Sequence, residues 1–437
     1  MLLTVATGWA QRQWTLEQCL DYAMQNNITL QKARLQSQSA HEDVKEARAA
    51  LLPSLSASTN HSVGYSPWQD TGTMTVANNQ AYSSVEKTYY NGSYGVNAQW
   101  TVWNGNKNIN TLRKNKLAAE QAALQTETTA KSIQEQIAQL YVQILYLTDA
   151  LEVSEQSLQT SRKNEERGQA MLEVGKMSRA DVAQLAAQRA TDEYNIVNAR
   201  ANISNYKLQL KQLLELDGSE SFDIVVPTTT DEQALQPIPP LKDAYEQALA
   251  TRPEIKGSQK AIESNDLSIK MAKAGYLPTL SMTAGMGTST NSRSSATFGS
   301  QLKTNFDVTG GMTLSIPIFD RRQTKTSVNK AKLQLEQAKL DLLDEQKQLY
   351  QTIEHYWLDA ETNQRKFRAA QATEQSEQQS YDLLQEQFRL GLKNIVELMT
   401  GKDRLLTAQQ NKLQSKYQTI LALQMLEFYQ GKVKSEN

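Results

Sequence analysis

The sequence predicts an α+β membrane protein, internally duplicated, in which strands of barrel type lead into long coiled-coil helical hairpins. Three observations carry the prediction. The chain of 437 residues matches itself at a shift above 200 positions. Each copy holds two extended segments in which apolar and small uncharged residues alternate. Each copy also holds a run of more than 60 residues without a proline.

The duplication comes first, because every later element is read twice. Shifted by 225 positions, Leu16 to Thr59 lies on Leu241 to Ala284 without a gap, with ten of 44 positions identical. Further along the shift becomes 216, pairing Val102-Trp103-Asn104 with Ile318-Phe319-Asp320 and Val174-Gly175 with Leu390-Gly391. A single nine-residue gap in the region between accounts for both shifts. A period this long marks one structural unit repeated rather than a solenoid array.

Taken in order, Met1 to Ala10 is small and apolar and reads as the tail of a secretory signal peptide, ending in a Gly8-Trp9-Ala10 cleavage site. Residues 11–53 and 241–278 are each expected to hold one helix, over about 16–50 and 241–275, stopped by Pro53 and Pro278. Strand pairs follow at 54–103 and 279–318, with loops at 67–91 and 291–306. In the first pair, Leu55 and Ala57 alternate with Ser54, Ser56 and Ser58. Tyr94, Val96, Ala98, Trp100 and Val102 alternate with Gly95, Asn97, Gln99 and Thr101. In the second, Leu280, Met282, Ala284 and Met286 alternate with Ser281, Thr283 and Gly285. Val308, Met312, Leu314, Ile316 and Ile318 alternate with Thr309, Gly311, Thr313 and Ser315. Period two puts each set on its own face. An apolar face backed by small uncharged residues, over about ten positions, is the pattern of a transmembrane barrel strand. Four strands cannot close a barrel, and an open edge is not tolerated in hydrocarbon. Two copies would give eight strands and three would give twelve.

The helical segments are 104–215 and 319–430, separated by a linker at 216–240 and followed by a tail at 431–437. A 67-residue helix is about 100 Å long. Ile133, Ile137, Leu140, Ile144, Leu147 and Leu151 recur at 4, 3, 4, 3, 4, and Ile196, Ala199, Ile203, Tyr206, Leu210 and Leu213 at 3, 4, 3, 4, 3, which are coiled-coil seams. Leu335, Ala338, Leu342, Leu349, Ile353 and Tyr356 repeat the design in the second copy. Each run turns back at a tip, near 173–181 and 389–397. Gly175 and Gly391 suit left-handed C-caps, and Ser178/Asp181 and Asn394/Glu397 have capping-box spacing.

Other classes are excluded by what is missing. With 46 basic and 47 acidic residues the net charge is −1, and no basic stripe marks a nucleic-acid partner. Cys19 alone makes no disulfide framework. His41, His61 and His355 lack metal-ligand spacing, and no phosphate-cradling loop or nucleophile elbow occurs. Neither an enzyme nor a cofactor is expected. No apolar run approaches the roughly 20 residues of a membrane helix, so entry into a bilayer would be by strands.

This order of helix, Leu-Pro stop, two alternating strands and a long hairpin, twice over, resembles the TolC-like outer-membrane efflux protein family. The carrying pieces are Leu52-Pro53-Ser54-Leu55, Leu277-Pro278-Thr279-Leu280, Trp103-Asn104-Gly105, Ile316-Pro317-Ile318-Phe319-Asp320, and the two glycine turns. The resemblance implies a homotrimer in which a 12-stranded outer-membrane β-barrel, four strands per chain, continues as a long α-helical barrel. It implies a passive exit duct of a tripartite efflux or type I secretion system, with lipid, a periplasmic adaptor (membrane fusion) protein and an inner-membrane pump of RND, MFS or ABC type as partners. A mixed belt would come from Asp217–Pro240 and the segment after Gly431.

It further implies a gate at the periplasmic tips. In the family's type member an acidic ring follows the second tip glycine. Glu397 matches its first position and Thr400 stands where a second acid would be; Asp181 matches in the first hairpin. Gly175, Gly391, Arg179 and Arg389 complete the candidate gate, the arginines as salt links. Adaptor docking would use Val174, Gly175, Lys176, Leu390, Gly391 and Leu392. Asn97, Gln99, Ser281, Thr283, Thr313 and Ser315 would line the barrel lumen. A second reading of the residues is a soluble periplasmic coiled-coil adaptor with a small β-domain.

Overall fold

The computed structural model describes residues 13–68, 73–77, 80–84, 86–218, 221–227 and 229–432. Met1–Ala10, expected to be the tail of an export signal, and most of the 431–437 tail lie outside the described residues. The chain divides into two compact units. One takes the described residues of Met1–Leu35, Ala123–Gly257 and Leu342–Asn437, the other Gln36–Ala122 and Ser258–Asp341.

A short strand β1 (Gln13–Trp14) leads into α1 (Leu16–Asn26). Thr15 caps α1: its hydroxyl accepts the Gln18 N–H and Gln18 accepts the Thr15 N–H, both at 3.2 Å. The single helix expected over 16–50 is two, because α2 (Ile28–Ala49) starts after a break at Asn27. Asn27 is extended and buried. Its Nδ2 donates to the Leu213 carbonyl at 2.9 Å and its Oδ1 accepts the Leu30 N–H at 3.1 Å.

Past Pro53 the chain enters β2 (Ser54–Tyr65). The expected loop at 67–91 holds a hairpin of β3 (Thr73–Ala77) and β4 (Gln80–Ser84), and its last residues already belong to β5 (Thr88–Trp103). Gly105 and Asn106, both left-handed, turn the chain into α3 (Lys107–Glu173), which is followed by α4 (Arg179–Leu213). The linker contains β6 (Asp223–Ile224), parallel to β1, and the single turn α5 (Asp231–Ala234).

The second copy repeats the break. The helix expected over 241–275 is α6 (Leu241–Thr251), α7 (Pro253–Lys273) and a 3₁₀ turn. Arg252 stands 225 positions after Asn27, and Pro253 occupies the first helical position, where its missing N–H costs nothing. Next come β7 (Thr279–Asn291) and α8 (Phe298–Thr304), inside the expected loop at 291–306. The strand β8 (Asp307–Ser315) stops before Ile316 and Ile318, which were expected to continue the alternation. Pro317 has no N–H for a ladder. Left-handed Arg321 and Arg322 then lead into α9 (Gln323–Arg389) and α10 (Ile395–Tyr429). Both long helices have 67 residues and both returning helices 35, each pair offset by 216.

The first unit holds the apolar cores. One joins Trp14, Cys19, Ala23 and Leu30 to the seam residues Ile133, Ile137, Ile144, Ile203 and Leu210. Burying each large aliphatic side chain there is worth roughly 1.5–3 kcal/mol. Burial also pushes the Cys19 thiol up to about 12. Another core gathers Ala248, Ile255, Leu349, Ile353, Leu423 and Leu426. The second unit centres on an antiparallel sheet in the order β2-β5-β7-β8. Its strands are largely exposed: Leu55 is 76%, Val308 71% and Met312 66% accessible.

Candidate functional site

Sheet register decides where the small polar residues go. Directly opposed residues in an antiparallel sheet share a face. Asn97 lies between Ser56 and Gly285, Gln99 between Ser54 and Thr283, and Ser281 between Thr101 and Thr313. Thr283 also faces Gly311, and Ser315 faces Thr279. All six candidate lumen residues therefore share one polar face, built of small uncharged side chains with Asp307 at the start of β8, opposite Gly287. The other face stacks Ala57–Val96–Met286–Val308, then Leu55–Ala98–Ala284–Gly310, then Trp100–Met282–Met312. Near its end the register shifts between Thr101 and Trp103, so Trp103, not Val102, opposes Leu280. That shift corrects the expected alternation and adds Trp103 to the apolar face.

The hairpin tips are built alike from local rules. In the first, the Lys176 N–H bonds the Met171 carbonyl at 2.8 Å and the Gly175 N–H bonds Leu172 at 2.9 Å. In the second, Leu392 bonds Gln387 at 2.9 Å and Gly391 bonds Phe388 at 3.0 Å. Each is a Schellman closure, with φ of 72° at Gly175 and 75° at Gly391. Both expected capping boxes form, Ser178 with Asp181 and Asn394 with Glu397. Glu397 also accepts from Lys393 Nζ at 2.6 Å. The Lys393 hydrogen bond, then the Asn394 N–H, hold its carboxyl below the usual glutamate range.

Among the described residues no ion pair joins the remaining tip candidates to one another. Arg389 pairs with Glu386 on its own helix at 2.8 Å, and among the described residues Arg179 forms no ion pair. The Thr400 hydroxyl donates back to the Val396 carbonyl at 2.8 Å. Lys176 is exposed, and so are the apolar side chains of Val174 (67%), Leu390 (66%) and Leu392 (71%).

Behind the tips, Leu185, Tyr381, Phe388, Ile395, Leu398 and Leu405 form a buried cluster with Met177 and Met399 packed against it. Next to it lies a polar group that the sequence reading missed. Lys402 of α10 is buried against Asp192 of α4 and donates to its Oδ2. It also donates to Ser161 Oγ at 2.6 Å, and Ser161 donates to Asp192 Oδ2 at 2.5 Å. Burial pushes the neighbouring Asp403 carboxyl up, although Lys402 pulls the other way. The missed signal was a lysine on a seam: 395, 398, 402 and 405 recur at 3, 4, 3.

The family model described as outer membrane efflux protein matches residues 19–215 and 244–432. The outer membrane efflux protein BepC of Brucella suis is 24% identical over 422 residues, covering 96% of this chain and 86% of that protein. The outer membrane protein TolC of Escherichia coli is 22% identical over 418 residues, covering 93% and 80%. The crystal structure of the Campylobacter jejuni CmeC outer membrane channel superposes with a TM-score of 0.77 at 18% identity, covering 97% and 87%. The match to outer membrane efflux proteins contradicts the alternative of a soluble periplasmic adaptor. With both copies of the repeat inside the match, the chain belongs to the outer membrane efflux protein family.

Proposed function

We propose that three copies of this chain assemble into one outer-membrane exit duct that passes cargo outward from a periplasmic adaptor and an inner-membrane pump. One observation carries the reading. The four-stranded sheet has one apolar and one small-polar face, and its outer strands β2 and β8 each pair on one side only. Such a sheet satisfies its edges in lipid only by joining other copies, and three copies make twelve strands around a wet interior. The apolar face meets lipid, while Asn97, Gln99, Ser281, Thr283, Thr313 and Ser315 face the lumen. The long hairpins continue the wall into the periplasm.

The tips carry the gate and the docking surface. Glu397 and Asp181 supply negative charge at the constriction, with Thr400 leaving the ring thinner, and Arg179 and Arg389 are the candidate salt links that hold the tips shut. The bare apolar residues Val174, Leu390 and Leu392, with Lys176 and the two glycines, offer the adaptor a contact. The subunit performs no chemistry; transport through it is passive and the partners supply the energy.

Fractionation tests the assembly. The protein is expected to stay with outer membranes through alkaline washing and to run as a heat-modifiable trimer. Cysteines at Ser58 on β2 and Thr309 on β8 are expected to cross-link neighbouring copies into a trimer-sized band. A monomer released by alkali would end the proposal.

A further inference from the structure

We propose that Arg321 and Arg322, with the bare apolar residues Ile318 and Phe319 just before them, bind the headgroup phosphate of an anionic phospholipid in the inner leaflet of the outer membrane. The inference rests on the duct reading above, which puts the junction of β8 and α9 at the periplasmic boundary of the barrel. It adds which lipid meets that boundary and which residues hold it.

The turn into α9 runs against the conformational preference of its own residues. Arg321 and Arg322 have φ of 50° and 69°, a left-handed region that arginine rarely enters. The first copy makes the same turn 216 positions earlier with Gly105 and Asn106, at 65° and 63°, the residue types that tolerate it. The cap beside the turn is alike in both copies. Asn104 Oδ1 accepts the Asn108 N–H at 3.2 Å, and Asp320 Oδ2 accepts the Thr324 N–H at 2.7 Å. The backbone therefore gains nothing from arginine at either position, and the reason for the pair lies in the side chains. Both residues are exposed, and among the described residues neither forms an ion pair. The neighbouring Asp320 carboxylate is engaged by the Arg322 and Thr324 N–H groups. The start of α9 is thus already capped, and what stands open is two guanidinium groups.

Their surroundings fit an anionic lipid surface. Ile318 and Phe319 are 96% and 85% exposed, apolar area that is costly to leave in water. At the same end of the sheet Leu52 and Leu277 are also exposed, and Trp100 donates to the Leu51 carbonyl at 2.8 Å. Tryptophan suits a level where one side is apolar and the other polar. Charge is just as one-sided. The segments flanking the strands at this end, 44–53, 104–113, 269–278 and 316–325, hold nine lysines and arginines against two acids, Glu46 and Asp320. The whole chain, by contrast, has a net charge of −1. Basic residues gathered just outside an apolar band attract anionic headgroups, and the planar guanidinium fork matches phosphate oxygens.

Arg321→Gly with Arg322→Asn separates a lipid site from a structural role, because it installs the residues with which the first copy makes this turn. The variant trimer is expected to be at least as heat-stable as the unmodified one. Native mass spectrometry of detergent-purified trimers is expected to show phosphatidylglycerol retained at least threefold over phosphatidylcholine in the unmodified protein, and no preference in the variant. An unchanged preference in the variant would overturn the proposal. A loss of trimer stability with lipid retention intact would assign the arginines to a contact between copies and overturn it too. So would release of the phosphatidylglycerol by inorganic phosphate, which would make this a site for a free anion. Trimers of the unmodified protein without any preference would refute this proposal alone, whereas failure to form trimers would refute the duct reading.

Discussion

The two copies of the repeat agree in the strands and disagree at the ends of the hairpins. In the sheet, both copies present apolar residues on one face and small polar residues on the other, row by row. Near the tips, the backbones match turn for turn but the contacts do not. The second hairpin supplies Tyr381, Phe388, Ile395 and Leu405 to a buried cluster. The first has Glu165, Leu172, Arg179 and Arg189 at the same positions, and Arg189 pairs with Glu165 at 2.6 Å. A face that meets a uniform medium needs only a binary pattern, so duplication preserves it. A face that meets one particular neighbour is free to diverge with that neighbour, provided the turn and cap residues remain.

The largest effect is expected from the apolar cluster. Phe388→Ala should destabilise the second hairpin end by about 3–5 kcal/mol, read as earlier proteolysis there on heating. Leu172→Ala, its half-buried counterpart, should do distinctly less; equal losses would erase the contrast between the hairpins. Next come the strands, where the two copies should behave alike. Val96→Arg and Leu314→Arg should each impair assembly by roughly 2–4 kcal/mol near the bilayer midplane, measured as the yield of heat-modifiable trimer. Asn97→Arg, on the opposite face, should be tolerated far better. Comparable damage from both faces would cancel the assignment of inside and outside.

Smaller effects sharpen the same comparison. Raising salt should loosen the first hairpin end more than the second, because the Arg189–Glu165 ion pair stands where the second has the buried Tyr381 and Leu405. Glu165→Tyr with Arg189→Leu should remove that salt dependence. Glu397→Ala should change the conductance or ion preference of trimers in planar bilayers, and unchanged values would leave it a capping residue only. The smallest effect is acid sensitivity of the second turn. Since the folded carboxyl of Glu397 is held low, its contribution is present above the unfolded value of about 4.3 and is lost as pH falls through the lower folded value. Amide exchange at Asn394 and Glu397 should accelerate only in that acid range.

What could be read from the sequence were features whose causes lie within a few residues. Strand faces follow from period two, and the turns at Gly175 and Gly391 follow from left-handed φ and a capping pair three residues apart. Pro253 also signals the break at Arg252, although the sequence reading passed over it. Asn27 is a local signal as well, an N-cap amide whose Oδ1 takes the Leu30 N–H, but its second bond is not local. Its Nδ2 also reaches a carbonyl 186 residues away.

The sequence by itself therefore determined the duplication, the two-faced strands, the long helices and the chemistry of the tips. Only the tertiary structure decided that Trp103 slips onto the apolar row, that Asn27 bonds the Leu213 carbonyl, and that Lys402 meets Asp192 across 210 residues. The physical reason is range. Periodicity and capping act through neighbouring peptide units, whereas register and buried ion pairs depend on which helix and strand faces are brought together, and no local pattern contains that choice.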